Sequence, residues 1–242
     1  MLKGECVSET TLKYYPYLYK RDRNREMSEL LFHAKLLQGK ILDIGCGDGG
    51  QARVLARRGF EVTAVDVNKK IVDIHNSKSN GNPKFLCTGF PDLAVEGPFD
   101  LCYALGMSFQ FVYTREEFIK AIQRVYSLLK DGGMFIFDMM PADTINPEQF
   151  GRRTDRIIVK PKFLLLRASD VQFDGQIFTW KADYHILNRH GYRHIVENTK
   201  MRLWKEEDVC GMVSTTQFQV QGIDGELGYD NTMNKTFILQ KR

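Results

Sequence analysis

A chain of 242 residues, 43% hydrophobic and 26% charged, is long enough to bury a sizeable core as one large domain or a domain with an appended lobe. Lys and Arg number 34 against 30 Asp and Glu, a balance too mild to argue for a nucleic-acid partner, and no run of about 18 apolar residues exists to span a membrane. The start, Met1–Cys6, lacks an apolar secretion segment, and Cys6, Cys46, Cys87, Cys102 and Cys210 form no Cys-x-x-Cys pair or Cys/His cluster, so a soluble cytoplasmic protein with reduced thiols and no metal is expected.

Residues 10–38 carry Tyr14, Tyr15, Tyr17 and Tyr19, then the basic cluster Lys20, Arg21, Arg23 and Arg25, then Met27, Leu30, Leu31, Ala34 and Leu37 at steps of three and four. That spacing predicts one apolar face of an amphipathic helix ended by Gly39. The basic cluster reads as a solvated face. Arg23 is the exception, since it lies four residues before Met27 and shares the inward stripe. From there to about residue 140, strands and helices alternate. Strands are predicted at Ile41–Ile44, Glu61–Val65, Phe85–Cys87, Phe99–Leu105 and Met134–Met139, and helices at Gln51–Arg58, Lys69–Ser77 and Arg115–Leu129. Short, continuously apolar strands separated by helices imply a parallel sheet covered on both faces. Its ligands sit at the carboxyl ends of the strands, where the strand order reverses.

After Pro147 the helical alternation stops. Strands are expected at Ile157–Val159, Phe163–Arg167, Gln176–Leu187, Tyr192–Leu203, Gln217–Ile223 and Lys235–Gln240, with one helix at Trp204–Val213. Phe178, Trp180, Ala182, Tyr184 and Ile186 alternate with polar residues, and Asn188-Arg189-His190-Gly191 turns the chain back. The expected organisation is α/β: an N-terminal helix and ligand-binding core over 1–150, an antiparallel β lobe covering the site over 151–204, and a return to the core over 205–242.

The string Asp43-Ile44-Gly45-Cys46-Gly47-Asp48-Gly49-Gly50 follows the first strand and opens a helix. Glycines let the backbone approach a ligand there, and the helix N-terminus offers free N–H groups. Asp66, about 20 residues on, closes the second strand where a carboxylate takes both hydroxyls of a ribose. The string satisfies the dinucleotide fingerprint, so a nicotinamide-dependent oxidoreductase is one reading. Asp43 would repel a pyrophosphate, however, and would attract the ammonium of a methionyl group, directly or through water. An adenosyl amino acid is therefore favoured, touched by the Cys46 backbone rather than its thiol.

Over roughly residues 38–140 the chain resembles the class I S-adenosylmethionine-dependent methyltransferases. Ile41-Leu42-Asp43-Ile44-Gly45-Cys46-Gly47, Asp66, Pro98-Phe99-Asp100 and Leu129-Lys130-Asp131-Gly132-Gly133 carry that resemblance. Leu105-Gly106-Met107-Ser108-Phe109 is similar to the Leu-Gly-Asn-Ser-Phe segment of the glycine N-methyltransferase-like branch. The resemblance implies a doubly wound, mostly parallel, seven-stranded Rossmann-like sheet with an antiparallel lobe inserted after the fifth strand. It implies S-adenosyl-L-methionine as cofactor and a small-molecule acceptor, methylated on nitrogen rather than oxygen. Leu105 would offer its carbonyl to the cofactor ammonium, and Arg23 would grip its carboxylate. The Gly-Asp that usually holds adenine is missing, with Thr88 and Gly89 in its place. Two alternatives stand: backbone groups of Gly89 and Phe90, walled by Val67 and Phe90, or the acid Asp92. Met107 replaces the asparagine of the glycine-specific enzymes, so glycine is not implied as substrate.

Tyr15 and Tyr19 are spaced to roof the sulfonium by cation–π contact, and with Met107, Phe111 and Asp138 they form the expected substrate pocket. Each has a plainer reading, as a packed tyrosine, a core side chain, or an acid capping the next turn. His185, His190 and His194 flank a hairpin in surface or cross-strand roles, and His33 and His75 receive no role. No catalytic base stands out, which suits a reaction whose main demand is positioning. An RNA- or oxygen-directed methyltransferase and a non-catalytic binding module remain as alternatives, and both a monomer and a homodimer fit.

Overall fold

The computed structural model describes residues 9–19, 21–146, 151–225, 227–228 and 233–242. Two helices lead the chain, α1 (Glu9–Leu18), which the sequence reading lacked, and α2 (Arg23–Ala34). Asp22 starts α2 by accepting the N–H groups of Asn24 and Arg25, both at 3.1 Å, two donors that a helix start otherwise leaves orphaned. The helix stops at Ala34 and not at Gly39. Lys35 turns left-handed (φ 51) and Leu36 donates back to the Leu31 carbonyl, the closing pattern of a Schellman end. Leu37, assigned to the apolar face by spacing, is 94% exposed.

The predicted alternation follows: β1 (Lys40–Ile44), α3 (Gly50–Arg57), β2 (Glu61–Asp66), α4 (Lys69–Asn76), β3 (Lys84–Cys87), β4 (Phe99–Ala104), α5 (Arg115–Leu128) and β5 (Leu129–Met139). β5 begins earlier than Met134 because Leu129 already pairs with Phe99, ahead of a register shift. Then come β6 (Arg153–Lys160), β7 (Phe163–Phe173), β8 (Ile177–Asn188), β9 (Gly191–Arg202), α6 (Glu206–Ser214), β10 (Phe218–Asp224) and β11 (Lys235–Lys241). α6 starts at Glu206, since the buried Trp204 precedes it in extended chain. The Met1–Cys6 start, Lys20 and the Pro147 break lie outside the described residues.

Seven strands form one sheet in the order β10-β11-β5-β4-β1-β2-β3, parallel from β5 to β3 and antiparallel at β11 and β10. The order reverses between β1 and β4, so their carboxyl ends open the crevice in which such sheets bind ligands. Alternate side chains feed two cores. Leu42, Ile44, Cys102, Phe135 and Phe137 pack with α5 and α6, and Ile41, Leu101, Tyr103 and Ile136 pack with α2 and α3. Asp43 shares the second face with its register partner Tyr103. At the opposite end of the strands, Asp100 accepts the Lys40 N–H and the Lys130 ammonium, both at 2.7 Å. That motif acid fastens the starts of β1 and β5 to β4, away from the crevice.

The second sheet, β6-β7-β8-β9, is antiparallel throughout. Tyr14 and Leu18 of α1 pack on Leu165, Tyr184 and Ile186 of its inner face. Its other end meets the main sheet through Phe178 and Met201, which pack with Met140, Met107 and Phe111. The Tyr113 hydroxyl donates to the Lys200 carbonyl (2.6 Å) across the same junction. No helix among the described residues is long and apolar enough to cross a membrane.

Phe109 is fully buried and sits with its ring centre 4.5 Å from Phe90, 4.5 Å from Phe118 and 4.9 Å from Phe137. Phe109→Ala should lower unfolding stability by about 3–5 kcal/mol in a urea titration. A loss under about 1 kcal/mol would show that this cluster does not anchor the loop after β4.

Candidate active site

The loop between β1 and α3 is fastened to β2. Gly45 and Cys46 both donate to the Val65 carbonyl (2.8 and 2.9 Å), and Gly47 donates to Asp66 Oδ2 (3.0 Å). Gly45 and Gly47 hold φ of 80 and 49, a region that burdens other residues with steric strain, and a Cβ on Gly45 would run into the Ser108 hydroxyl. Asp48 caps α3 by accepting the Gly50 N–H at 3.0 Å, and its other oxygen takes the Arg23 guanidinium. Arg53 donates to His75 Nδ1 at 2.8 Å, so Nδ1 is the acceptor and Nε2 carries the proton given to the Gly47 carbonyl at 2.8 Å. Burial pushes the His75 pKa down, which favours that neutral tautomer.

Asp43 is buried, and its Oδ2 has no hydrogen-bond partner among the described residues. Burial pushes its pKa up to about 7. The nearby Tyr103 hydroxyl, outside hydrogen-bond geometry, opposes the rise, and the charges of Asp66, Glu26 and Asp48 add to it. Burial also raises the Asp66 pKa, against the N–H groups of Asn68 and Gly47 that it accepts. A carboxylate has about four acceptor positions, so both Asp66 oxygens keep one for a vicinal diol. A buried carboxyl with an unmet acceptor, ringed by further acids, suits a cation. It does not suit a pyrophosphate, whose place at the α3 N-terminus the Asp48 carboxylate already takes. The donor set therefore fits an adenosyl amino acid.

The turn after β4 hangs on Asp138. Gly106 and Met107 donate to its two oxygens at 2.8 and 2.7 Å, and it is 1% exposed. Burial raises its pKa, opposed by those two N–H groups and by the Arg21 charge. The expectation that Asp138 lines the substrate pocket or caps the next turn is thereby corrected: its oxygens are engaged by the backbone of the β4 turn. Met107 consequently adopts φ 66, and its side chain lies with Phe111 in the junction with the second sheet. Leu105 is buried, and its carbonyl accepts the Ser108 hydroxyl at 3.1 Å.

Two arginines reach this region. Arg23 lies across Gly50, as the helical spacing anticipated. Arg21, read as solvated, is 7% exposed, pairs with the buried Glu26 at 2.8 Å, and would stand 3.2 Å from a Cβ on Gly106. Helical periodicity does not extend back through the Asp22 cap, so spacing from Met27 carried no information about Arg21. Arg25 pairs with Glu29 on the surface.

Tyr19 accepts Arg167 Nη1 at 2.8 Å and lies 5.3 Å from the same guanidinium through its ring. Arg167 thus engages both the hydroxyl and the ring that the sequence reading assigned to a sulfonium roof. Tyr15 is on α1, with its side chain outside the described ones. Val67 is exposed and abuts Gly89, while Phe90 packs edge-on against Phe109. The alternative adenine acid, Asp92, turns outward to Lys120 at 2.6 Å. His75, Arg53 and Arg167 gave no sequence signal, since each depends on a partner in another element, and Arg21 with Glu26 pairs across the Asp22 cap, where helical spacing does not reach. Ser108 stood inside a quoted motif without a role.

The methyltransferase domain family matches residues 41–133. YqeM of Bacillus subtilis (strain 168), named as a methyltransferase, is 24% identical over 202 residues, 78% of this chain and 77% of that one. Relatives matched at 31–33% identity, ubiquinone biosynthesis O-methyltransferases of Chromobacterium violaceum and Idiomarina loihiensis among them, are spanned over less than half their own length. The sugar N-methyltransferase KedS8 of Streptoalloteichus sp. ATCC 53650 superposes with a TM-score of 0.83 at 16% identity, covering 100% of this chain and 96% of that one. S-adenosylmethionine-bound CalS10 of Micromonospora echinaspora, an amino pentose methyltransferase, gives 0.80 at 15% identity, with 98% and 99% covered. Residues 41–133 carry the methyltransferase domain, and with the S-adenosylmethionine-dependent neighbours this supports a class I S-adenosylmethionine-dependent methyltransferase with S-adenosyl-L-methionine as cofactor.

Asp138→Asn offers an acceptor to only one of the two N–H groups, so a loss of about 1–3 kcal/mol in chemical unfolding is expected; wild-type stability would mean the turn holds without it. Asp43 gives a pH signature. Between its ordinary value of 3.8 and about 7 the folded state holds a proton that the unfolded state has lost, so stability falls as pH rises through that window and levels off above it. Urea midpoints at pH 5 and pH 7 should show that fall in the wild type and less of it in Asp43→Asn. Identical slopes would mean that Asp43 is ionised in the folded protein across the window.

Proposed function

We propose that the chain methylates a nitrogen of a small polar molecule held between the Met107–Phe111 turn and the inner face of β7–β9. The bound cofactor supplies a methyl group on a sulfonium that departs as a neutral thioether. On this reading Asp66 takes the ribose hydroxyls, and Asp43 and the Leu105 carbonyl face the ammonium. Arg23, joined by Arg21, reads the carboxylate. The backbone of Gly45, Cys46 and Gly47 lies along the cofactor, with Val67, Gly89 and Phe90 at its adenine end.

The observation that carries the acceptor reading is a polar patch on the inner face of the second sheet. Strand register aligns Ser169, Ala182 and Glu197 in one row, with Arg167, Tyr184 and Ile195 on one side and Val171, Trp180 and Thr199 on the other. Ser169 and Glu197 stand on either side of the small, buried Ala182. Arg167 is 3% exposed and lies between the rings of Tyr19 and Trp180, 5.3 and 5.1 Å from their centres. Trp180 in turn donates to Ser169 at 2.8 Å. Trp180 also packs into the junction that holds Met107 and Phe111, so patch and turn are neighbours. An enclosed acid, guanidinium and hydroxyl set on a rigid sheet suits a hydroxylated amine better than a polymer.

Nitrogen is favoured because an amine needs only a free lone pair, which Glu197 can orient by accepting an N–H, whereas an oxygen acceptor needs a base. His185 and His194 stack on each other 4.7 Å apart on the outer face, and the Asp138 oxygens are engaged. The likeness to a sugar N-methyltransferase supports nitrogen, and the O-methyltransferase relatives keep oxygen as the competing reading. A tritium-methyl transfer screen over amines, amino sugars, phenols and bulk RNA should label amines or amino sugars. Labelling of phenols alone would move the chemistry to oxygen, and labelling of RNA above every small molecule would sink the proposal.

A further inference from the structure

A cavity of about 1110 Å³ opens at the far end of the second sheet, where the β6–β7 and β8–β9 turns meet α1. Four cations line it, Lys13, Lys160, Lys162 and Arg189, and among the described residues no carboxylate does. None of the four makes an ion pair with a carboxylate among the described residues. The whole chain carries a net charge of only +4, so this rim concentrates like charge that an anion would relieve. The floor is aromatic. Tyr14 and Tyr17 meet Phe163 edge-on at 5.2 and 5.0 Å, and Tyr17 is 44% exposed. The Lys13 and Lys160 ammonium nitrogens lie over the Tyr14 and Tyr17 rings, 5.6 and 5.8 Å from their centres.

Sequence explains how the site is built. Pro161 and Lys162 form one tight hairpin tip, and Arg189 and His190 form the next, with Gly191 at φ 106 closing it. Leu164 and Leu187 are register partners between the two tips, so the cationic tips stand side by side over an apolar seam. Arg167 and Tyr184 of the acceptor patch lie three residues, roughly 10 Å at about 3.3 Å per residue, from Leu164 and Leu187. The cavity is therefore a separate opening beside the acceptor patch.

We propose that this cavity binds a nucleotide, with the phosphates on Lys160, Lys162, Lys13 and Arg189 and the base against Tyr17 and Phe163. Phosphate oxygens meet ammonium and guanidinium donors in charge-assisted hydrogen bonds, and a flat base fits the exposed ring faces. Two sources share that chemistry: a free nucleotide, and an acceptor carried on one.

The test uses the full chain saturated with S-adenosylhomocysteine, so that the donor site is blocked and its failure is read separately. Calorimetric titration with UDP, uridine and inorganic pyrophosphate should give saturable UDP binding, with the two fragments each at least roughly tenfold weaker. Lys160→Glu/Lys162→Glu should weaken UDP at least roughly tenfold while leaving the melting temperature and S-adenosylhomocysteine affinity unchanged. In a separate assay, with tritium-methyl S-adenosylmethionine in place of S-adenosylhomocysteine, UDP-glucosamine separates the sources. Tritium-methyl label entering the sugar marks a carried acceptor, and binding without label marks a free nucleotide. The proposal is overturned by no saturable UDP binding below about 1 mM, by pyrophosphate binding as tightly as UDP, by undiminished UDP binding in the double variant, or by binding of an RNA oligonucleotide alone.

Discussion

Three carboxyl groups stand at the carboxyl ends of β1, β2 and β5, and burial pushes the pKa of each upward. Taking a carboxylate out of water is costly unless hydrogen bonds or cations meet it, and the three are met differently. Asp138 accepts two backbone N–H groups of the turn after β4 and is buried. Asp66 also accepts two N–H groups but is only half-buried. Asp43 keeps an unmet oxygen. In the sheet order Asp43, with its unmet oxygen, lies between the other two, and its raised pKa lets the buried carboxyl hold a proton where a cation is absent.

The main sheet was largely legible in the sequence because its signals are local. Apolar runs such as Ile41–Ile44 and Phe135–Phe137, closed by glycines or capped by Thr114 with Glu117, specify strand and helix within a few residues. The glycine loop and Asp66 were legible for the same reason: the chemistry of a close backbone approach needs particular residues at fixed spacing. Element ends were less so. Lys35 ended α2 through a left-handed turn that glycine usually supplies, and nothing in its side chain announces that geometry.

What stayed hidden is composite. Arg53 with His75, and Arg167 with Tyr19 and Trp180, are each assembled from different elements, and Arg21 meets Glu26 only across the Asp22 cap. A lone histidine on an amphipathic helix carries no trace of the loop carbonyl it will meet. His75 nonetheless fixes the path of Gly47, and its tautomer follows from Arg53, which can only donate. The same holds for the lobe, where alternation revealed strands but not which face would turn inward.

The two halves of the crevice are built from different materials, and that difference bears on how each can vary. The donor side is made chiefly of backbone groups held by other backbone groups, as when Val65 fixes Gly45 and Cys46, or Asp138 fixes Gly106 and Met107. Side chains at Cys46 or Met107 can change there while the N–H and C=O directions persist. The proposed acceptor side is made of side chains standing on a continuous antiparallel ladder, Arg167, Ser169, Trp180, Glu197 and Thr199. A strand ladder tolerates many residues facing one side, because the pairing hydrogen bonds do not involve them. Substitution in that row therefore alters the chemistry offered to an acceptor without moving the cofactor loop. A site so divided keeps its donor fixed and leaves its acceptor free to diverge, which is why the donor was readable from motifs while the acceptor had to be argued from register and burial.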